Sequence, residues 1–152
     1  MRDEGKARIV PGAWFLGAVG AMVVLDRVAP GVRLIPAPYR YGGALLIVAG
    51  IAAAIWAVRL FRQSRTSPMP HKTPAALVVR GPYRISRHPM YLGLTVTLCG
   101  AAVLLGSLTP WAVAAAFFAF VARPSAIEEE QVMDAAFGEA YGRYKVRVRR
   151  WL

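Results

Sequence analysis

Hydrophobic positions in this chain run together instead of alternating with polar ones. Ile9 to Leu25, Tyr41 to Val58 and Pro89 to Ala122 carry no charge, and the last run is 34 residues long. A bilayer crossing needs about 20 apolar residues, with a range of roughly 17–25. A 34-residue helix would be about 51 Å long, too long for one passage through a ~30 Å hydrocarbon core. Gly106-Ser107-Leu108-Thr109-Pro110 breaks that run, because Gly and Pro interrupt helical pattern. The pattern predicts four helices. The first spans about Gly12 to Val28 and the second about Tyr39 to Arg62. The third opens at Pro89, since proline is favoured where the helix has no N–H to pair. The fourth runs from about Pro110 to Arg123-Pro124 and makes a tight hairpin with the third.

The expected fold class is therefore an all-α integral membrane protein of about four transmembrane helices in a single domain, residues 1–152. Residues 1–62 supply helices one and two. Residues 63–88 form a cytoplasmic loop, 89–124 the hairpin, and 125–152 a cytoplasmic C-terminal segment. Gly42, Gly43 and Gly50, with Ala52-Ala53-Ala54, give helix two a small-residue face for close helix approach. Ala75 to Val79 is a short apolar patch suited to the membrane surface. Ser125-Ala126-Ile127-Glu128 has capping-box spacing, which predicts a fresh helix there. Met133, Phe137, Tyr141 and Tyr144 recur on one face of that helix, and Glu129 and Glu130 border the same face. Basic residues precede the first apolar run, as in a signal peptide, but no good small-x-small cleavage site follows. An uncleaved first helix is expected.

Composition supports a membrane setting. The chain is 57% hydrophobic, against about 45–50% for soluble domains. Its net charge of +11 calls for an anionic partner. The basic residues flank apolar spans and form no soluble basic face, so anionic lipid headgroups fit better than nucleic acid. Arg62 to His88 holds six Lys/Arg and no acid, and the residues after Glu139 hold five and no acid. Positive-inside counting places the N-terminus, the 62–88 loop and the C-terminus in the cytoplasm of a cytoplasmic-membrane protein. Cys99 stands alone and carries no disulfide information.

Two polar clusters stand out. Gly81-Pro82-Tyr83-Arg84-Ile85-Ser86-Arg87-His88 meets the start of helix three, and Glu128-Glu129-Glu130 lies beyond helix four. No acidic residue occurs between Asp26 and Glu128. Polar side chains at a membrane boundary are costly and mark functional candidates. Helix three begins on the side to which helix four returns, so Arg87 and His88 are expected beside Glu129 and Glu130. Paired carboxylates near hydrocarbon need cations to offset them, and Arg87, His88 and Arg123 are the cations nearest in sequence. A ligand-sized pocket is expected there, lined by Tyr91 and some of Phe137, Tyr141 and Tyr144. A helix N-terminus with Arg84, Arg87 and His88 suits a carboxylate or phosphate. Glutamates suit an ammonium or ribose hydroxyls. S-adenosylmethionine offers a carboxylate, an ammonium and a ribose.

Arg87-His88-Pro89-Met90-Tyr91-Leu92-Gly93, preceded by Gly81-Pro82-Tyr83, resembles the first motif of the isoprenylcysteine carboxyl methyltransferase family and its phospholipid methyltransferase relatives. Glu129-Glu130, then Phe137-Gly138, Tyr141, Tyr144 and Arg150-Trp151-Leu152, resembles the second. The likeness covers roughly residues 78–152. It implies an integral-membrane enzyme that uses S-adenosylmethionine, with a pocket capped by the C-terminal segment and a lipophilic substrate, small molecule or lipid, entering from the bilayer. It further implies cofactor-binding roles for Tyr83, Arg87, His88, Pro89, Tyr91, Gly93, Glu129, Glu130, Tyr141 and Tyr144. His88, Glu129 and Glu130 are candidate bases if the acceptor must lose a proton. No metal site is expected. The family usually places an arginine and then an apolar residue shortly before the paired glutamates, whereas here the order is Arg123-Pro124-Ser125-Ala126-Ile127.

Other readings of these residues stand beside this one. Arg84 and Arg87 suit headgroup anchors, Glu128 a helix cap, and Tyr141 and Tyr144 ordinary interfacial aromatics. No G-x-G-x-x-G is present, which disfavours a soluble dinucleotide-type fold. Membrane reductases share an Arg-His-Pro-x-Tyr motif but bind a nicotinamide cofactor, and a non-catalytic membrane scaffold would need neither.

Overall fold

The computed structural model describes residues 11–63 and 76–152. The basic N-terminal stretch and the polar 64–74 loop lie outside the described residues. The helices are α1 (Pro11–Val28), α2 (Gly43–Gln63), α3 (Pro89–Leu105), α4 (Thr109–Phe117) and α5 (Arg123–Arg147). Short 3₁₀ turns at Tyr39–Gly42 and Gly81–Arg84 lead into α2 and α3. Pro11–Val28, Tyr39–Gln63 and Thr109–Arg147 are each long and apolar enough to cross a membrane, and α3 is a shorter apolar helix. Among the described residues there is no strand. The chain is an all-α integral membrane protein, as the hydrophobic pattern predicts.

Pro89 occupies the first turn of α3, where a missing N–H costs nothing. Gly106 ends that helix at φ 80°, its N–H donating to the Ala102 carbonyl at 2.9 Å. A left-handed glycine is the common way to close a helix, and it turns the chain into α4. The connection between α1 and α2 is sealed onto this turn. Leu34 N–H donates to the Gly106 carbonyl at 2.8 Å and Leu108 N–H to the Val32 carbonyl at 3.0 Å. Beneath them the Ser107 hydroxyl donates to the buried Asp26 carboxylate at 2.5 Å. The lone acid of this end is thereby hydrogen-bonded, as a buried polar group requires.

α2 packs mainly against α3, and α1 against α4 and α3. Met22, Leu98, Ala102, Ala114, Phe117 and Val121 form the core between the helices, with the Phe15 ring edge-on to Phe117 at 6.2 Å. The α2–α3 contact depends on facing glycines. A Cβ on Gly43 or Gly100 would collide with the backbone of the other helix, and the same holds for Gly50 and Gly93. Both pairs are seven residues apart along their helices, so they share one seam. Gly42, by contrast, has open space around it and lies in the preceding turn, off the predicted small-residue face.

The expectation of a fresh helix at Ser125 is corrected. α4 does not stop at Arg123-Pro124; it passes through a π-helical turn at Phe118–Ala122 directly into α5, without a break before Gly138. Proline inside a helix loses one hydrogen bond and crowds the preceding turn. A π turn widens the backbone locally, so Pro124 is accommodated without a break. Ser125 is buried in mid-helix and caps nothing. The interruption comes later, at Gly138, with φ 46° and ψ −119°. Beyond this kink the helix turns, and the chain leaves it at Val148 in extended form.

Gly50→Ala places a methyl group 2.5 Å from the Gly93 carbonyl oxygen and 2.7 Å from the Thr97 nitrogen. Such overpacking costs about 1–3 kcal/mol. Thermal melts in detergent are expected to show a clear loss for Gly50→Ala and none for Gly17→Ala, whose surroundings are open. Equal melting of the two variants would show that the seam is loose.

Candidate functional site

From Thr109, a helix covers the ~30 Å hydrocarbon thickness in about 20 residues. That distance ends near residue 128, so Glu129 and Glu130 emerge level with the start of α3. Five side chains from the two helix ends meet there. Glu130, 7% exposed, lies 3.1 Å from His88 Nε2 through Oε1 and 3.4 Å from Arg87 Nη1. The Tyr91 hydroxyl donates to Glu129 Oε1 at 2.6 Å, and His88 Nδ1 lies 3.3 Å from Glu129 Oε2. Each imidazole nitrogen thus faces a carboxylate, an arrangement satisfied on both sides only by the imidazolium. Burial pulls the His88 pKa down, but the hydrogen bonds and charges of Glu129 and Glu130 outweigh it and hold it above its ordinary value.

The C-terminal segment completes the cluster. Arg150 donates to Glu130 through Nε at 2.9 Å and Nη2 at 2.8 Å, a bidentate pair. Ser86 joins the two strands of chain: its hydroxyl donates to the Arg150 carbonyl at 3.0 Å and accepts from the His88 N–H at 3.1 Å. Arg87 N–H donates to the Arg149 carbonyl at 3.1 Å. The Trp151 ring lies 5.8 Å from His88 and 4.9 Å from Phe118, closing the apolar side. Two carboxylates are therefore matched by Arg87, His88 and Arg150, which is the condition for holding ionised groups out of water.

The convergence of Arg87 and His88 on Glu129 and Glu130 is as expected, with Tyr91 between them. Tyr141 is buried next to them, within electrostatic reach of Arg87 and Glu130. Tyr144 instead donates to the Tyr83 carbonyl at 2.7 Å. Tyr141 and Tyr144 are both buried, with Met133 and Phe137 packed against them, so they are not membrane-surface aromatics. The Tyr83 ring belongs to an apolar cluster with Ala57, Leu60 and Val78 and lies 5.2 Å from Phe61. Pro89 is buried at the head of α3, and Gly93 serves the seam with α2. A described cavity of about 480 Å³ shares only Tyr144 with the predicted lining.

Sequence reasoning missed Arg150, Ser86, Ser125 and Trp151 as site residues. Ser125, read as a cap, is buried in mid-helix beside Tyr91 instead. Arg150 is one of five basic residues of the C-terminal stretch, and its place in the second motif is the one signal that could have found it. Arg123 is exposed; the arginine that clamps Glu130 is Arg150. The Arg87 Nε is buried and has no partner, leaving a donor available inside the site.

The family model described as phospholipid methyltransferase matches residues 39–140. A 63-residue stretch, 41% of the chain, is 35% identical to an uncharacterized protein of Haemophilus influenzae over that protein's whole length. No solved structure matches.

The raised His88 pKa fixes the sign of a pH effect. A group whose pKa is higher folded than unfolded adds stability that is complete below its unfolded value, about 6.5. That stability is lost as pH rises through the folded value. The melting difference between wild type and His88→Gln is therefore expected to be large at pH 6 and to shrink toward pH 9. A difference that stays constant with pH would contradict the imidazolium.

Proposed function

The chain belongs to the phospholipid methyltransferase family, and on that premise we propose that it methylates a lipophilic or membrane-associated acceptor from S-adenosylmethionine. The acceptor carries an amine, a carboxylate or a thiol. Methyl transfer at a membrane follows from the family and the apolar helices; cofactor, acceptor and residue roles are the proposal. The observation that carries it is the buried cluster of Glu129, Glu130, Arg87, His88, Arg150 and Tyr91 at the bilayer boundary.

The residues fit the cofactor in kind. The unpartnered Arg87 Nε suits a carboxylate. Glu129, with a quarter of its side chain exposed against 9% for Glu130, suits an ammonium or ribose hydroxyls. Glu130 is taken up by Arg150 and His88 and serves as the post that holds both. S-adenosylmethionine supplies a methyl group on an activated sulfonium, so the protein's contribution is proximity and alignment. Tyr91 fixes the Glu129 carboxylate, and Ser86 fixes the His88 backbone. An amine or thiol acceptor must shed a proton, and Glu129 is the group placed to take it, because His88 already holds its proton between the two carboxylates; a carboxylate acceptor sheds none.

The same reading orients the protein. The cluster end carries Arg80, Arg84, Arg87, Arg143, Lys145, Arg147, Arg149 and Arg150, whereas the opposite end carries Arg27, Arg33 and Arg40 beside Asp26. Positive charge favours the cytoplasmic side, so both termini and the site face the cytoplasm and the acceptor enters from the bilayer.

Calorimetry with S-adenosylhomocysteine tests the cofactor. Losing a hydrogen bond to a charged group costs about 1.5–3 kcal/mol, so Glu129→Gln should weaken binding about tenfold or more. Unchanged affinity in the folded variant would remove Glu129 from the site, and tight nicotinamide binding in its place would favour a reductase. For orientation, a cysteine at Ser67 in a Cys99→Ala background should resist impermeant thiol labelling in intact cells. Ready labelling from outside would reverse the topology.

A further inference from the structure

We propose that the cavity between the Gly81–Arg84 turn and the post-kink part of α5 binds the phosphate headgroup of an anionic phospholipid, as a site separate from the Glu129–Glu130 cluster. The cavity measures about 480 Å³ and is bounded by Arg84, Arg143 and Arg147 over an apolar floor of Leu77, Val79 and Val148. None of its lining residues is acidic. Arg143 has Glu139 at 3.7 Å, but both side chains are exposed, and such surface pairs are worth little. Three guanidinium groups around one hollow match a phosphate in charge and in hydrogen-bond geometry.

The surroundings select a lipid as the source of that phosphate. Arg84 lies five positions before Pro89, where α3 starts, so the cavity sits at headgroup depth. Val79, on the cavity wall, is 45% exposed, and Leu77 beside the same hollow is only half-buried. A free phosphate would satisfy the arginines and leave these apolar side chains in water. A phospholipid satisfies both, with its phosphate among the arginines and its acyl chains against the apolar rim. Tyr144 lines the cavity and packs 5.9 Å from Tyr141, so the two sites share a wall without sharing a charged residue.

Native mass spectrometry of the purified protein in neutral detergent reads the site directly. Phosphatidylglycerol should be retained in preference to phosphatidylcholine. Each of Arg84→Gln, Arg143→Gln and Arg147→Gln should lower retention about fivefold. The triple variant should lower it more than about twentyfold. Arg33→Gln with Arg40→Gln, at the opposite end, should leave it unchanged. Equal retention of the two lipids, or wild-type retention by the single and triple variants, would overturn the proposal. Displacement of phosphatidylglycerol by millimolar inorganic phosphate would overturn the lipid source.

Discussion

Two neighbouring carboxylates at the edge of a hydrocarbon layer set the constraint on which the rest of this structure depends. An isolated ionised group there is too costly to persist, so Glu129 and Glu130 require cations within hydrogen-bond reach. The chain brings them from two places: Arg87 and His88 from the start of α3, and Arg150 from the C-terminal segment. The charges of a folded site therefore also fasten the C-terminus to the membrane domain. Removing one partner leaves the others buried and unpaired, which costs more than the pair contributes.

The helices place these groups through simple geometry. The Gly106 turn and the Asp26–Ser107 bond pin the far end of the α3–α4 hairpin. The glycine seam holds α2 directly on α3. With one end pinned, the helix lengths bring His88 and Glu129 to the same level at the other. The π turn lets a proline pass within that length without bending the helix away.

Much of this was legible in the sequence, for physical reasons. Long uncharged runs gave the helices, since a bilayer admits little else. The hairpin break at Gly106 was legible because a left-handed glycine ends helices. The pairing of His88 with Glu129 and Glu130 followed from topology and from the cost of charge near lipid. The continuity through Ser125 was not legible, because a capping-box spacing and a mid-helix Ser-Glu spacing read alike along the chain. Arg150 was equally obscure: one arginine in a basic tail looks like its neighbours until the Gly138 kink brings it back. Of the three cations nearest in sequence, Arg87 and His88 do meet Glu130, whereas Arg123 is exposed and Arg150 stands in its place.

The central claim is that this ion cluster serves methyl transfer and is not merely a membrane anchor. Membranes containing the protein, incubated with methyl-labelled S-adenosylmethionine and extracted into organic solvent, test it most directly. The account predicts label in a lipid-soluble product, and a loss of about tenfold or more when Arg150→Gln frees Glu130 from its clamp. Labelling that is absent from the wild-type protein, or that is undiminished in Arg150→Gln, would contradict it.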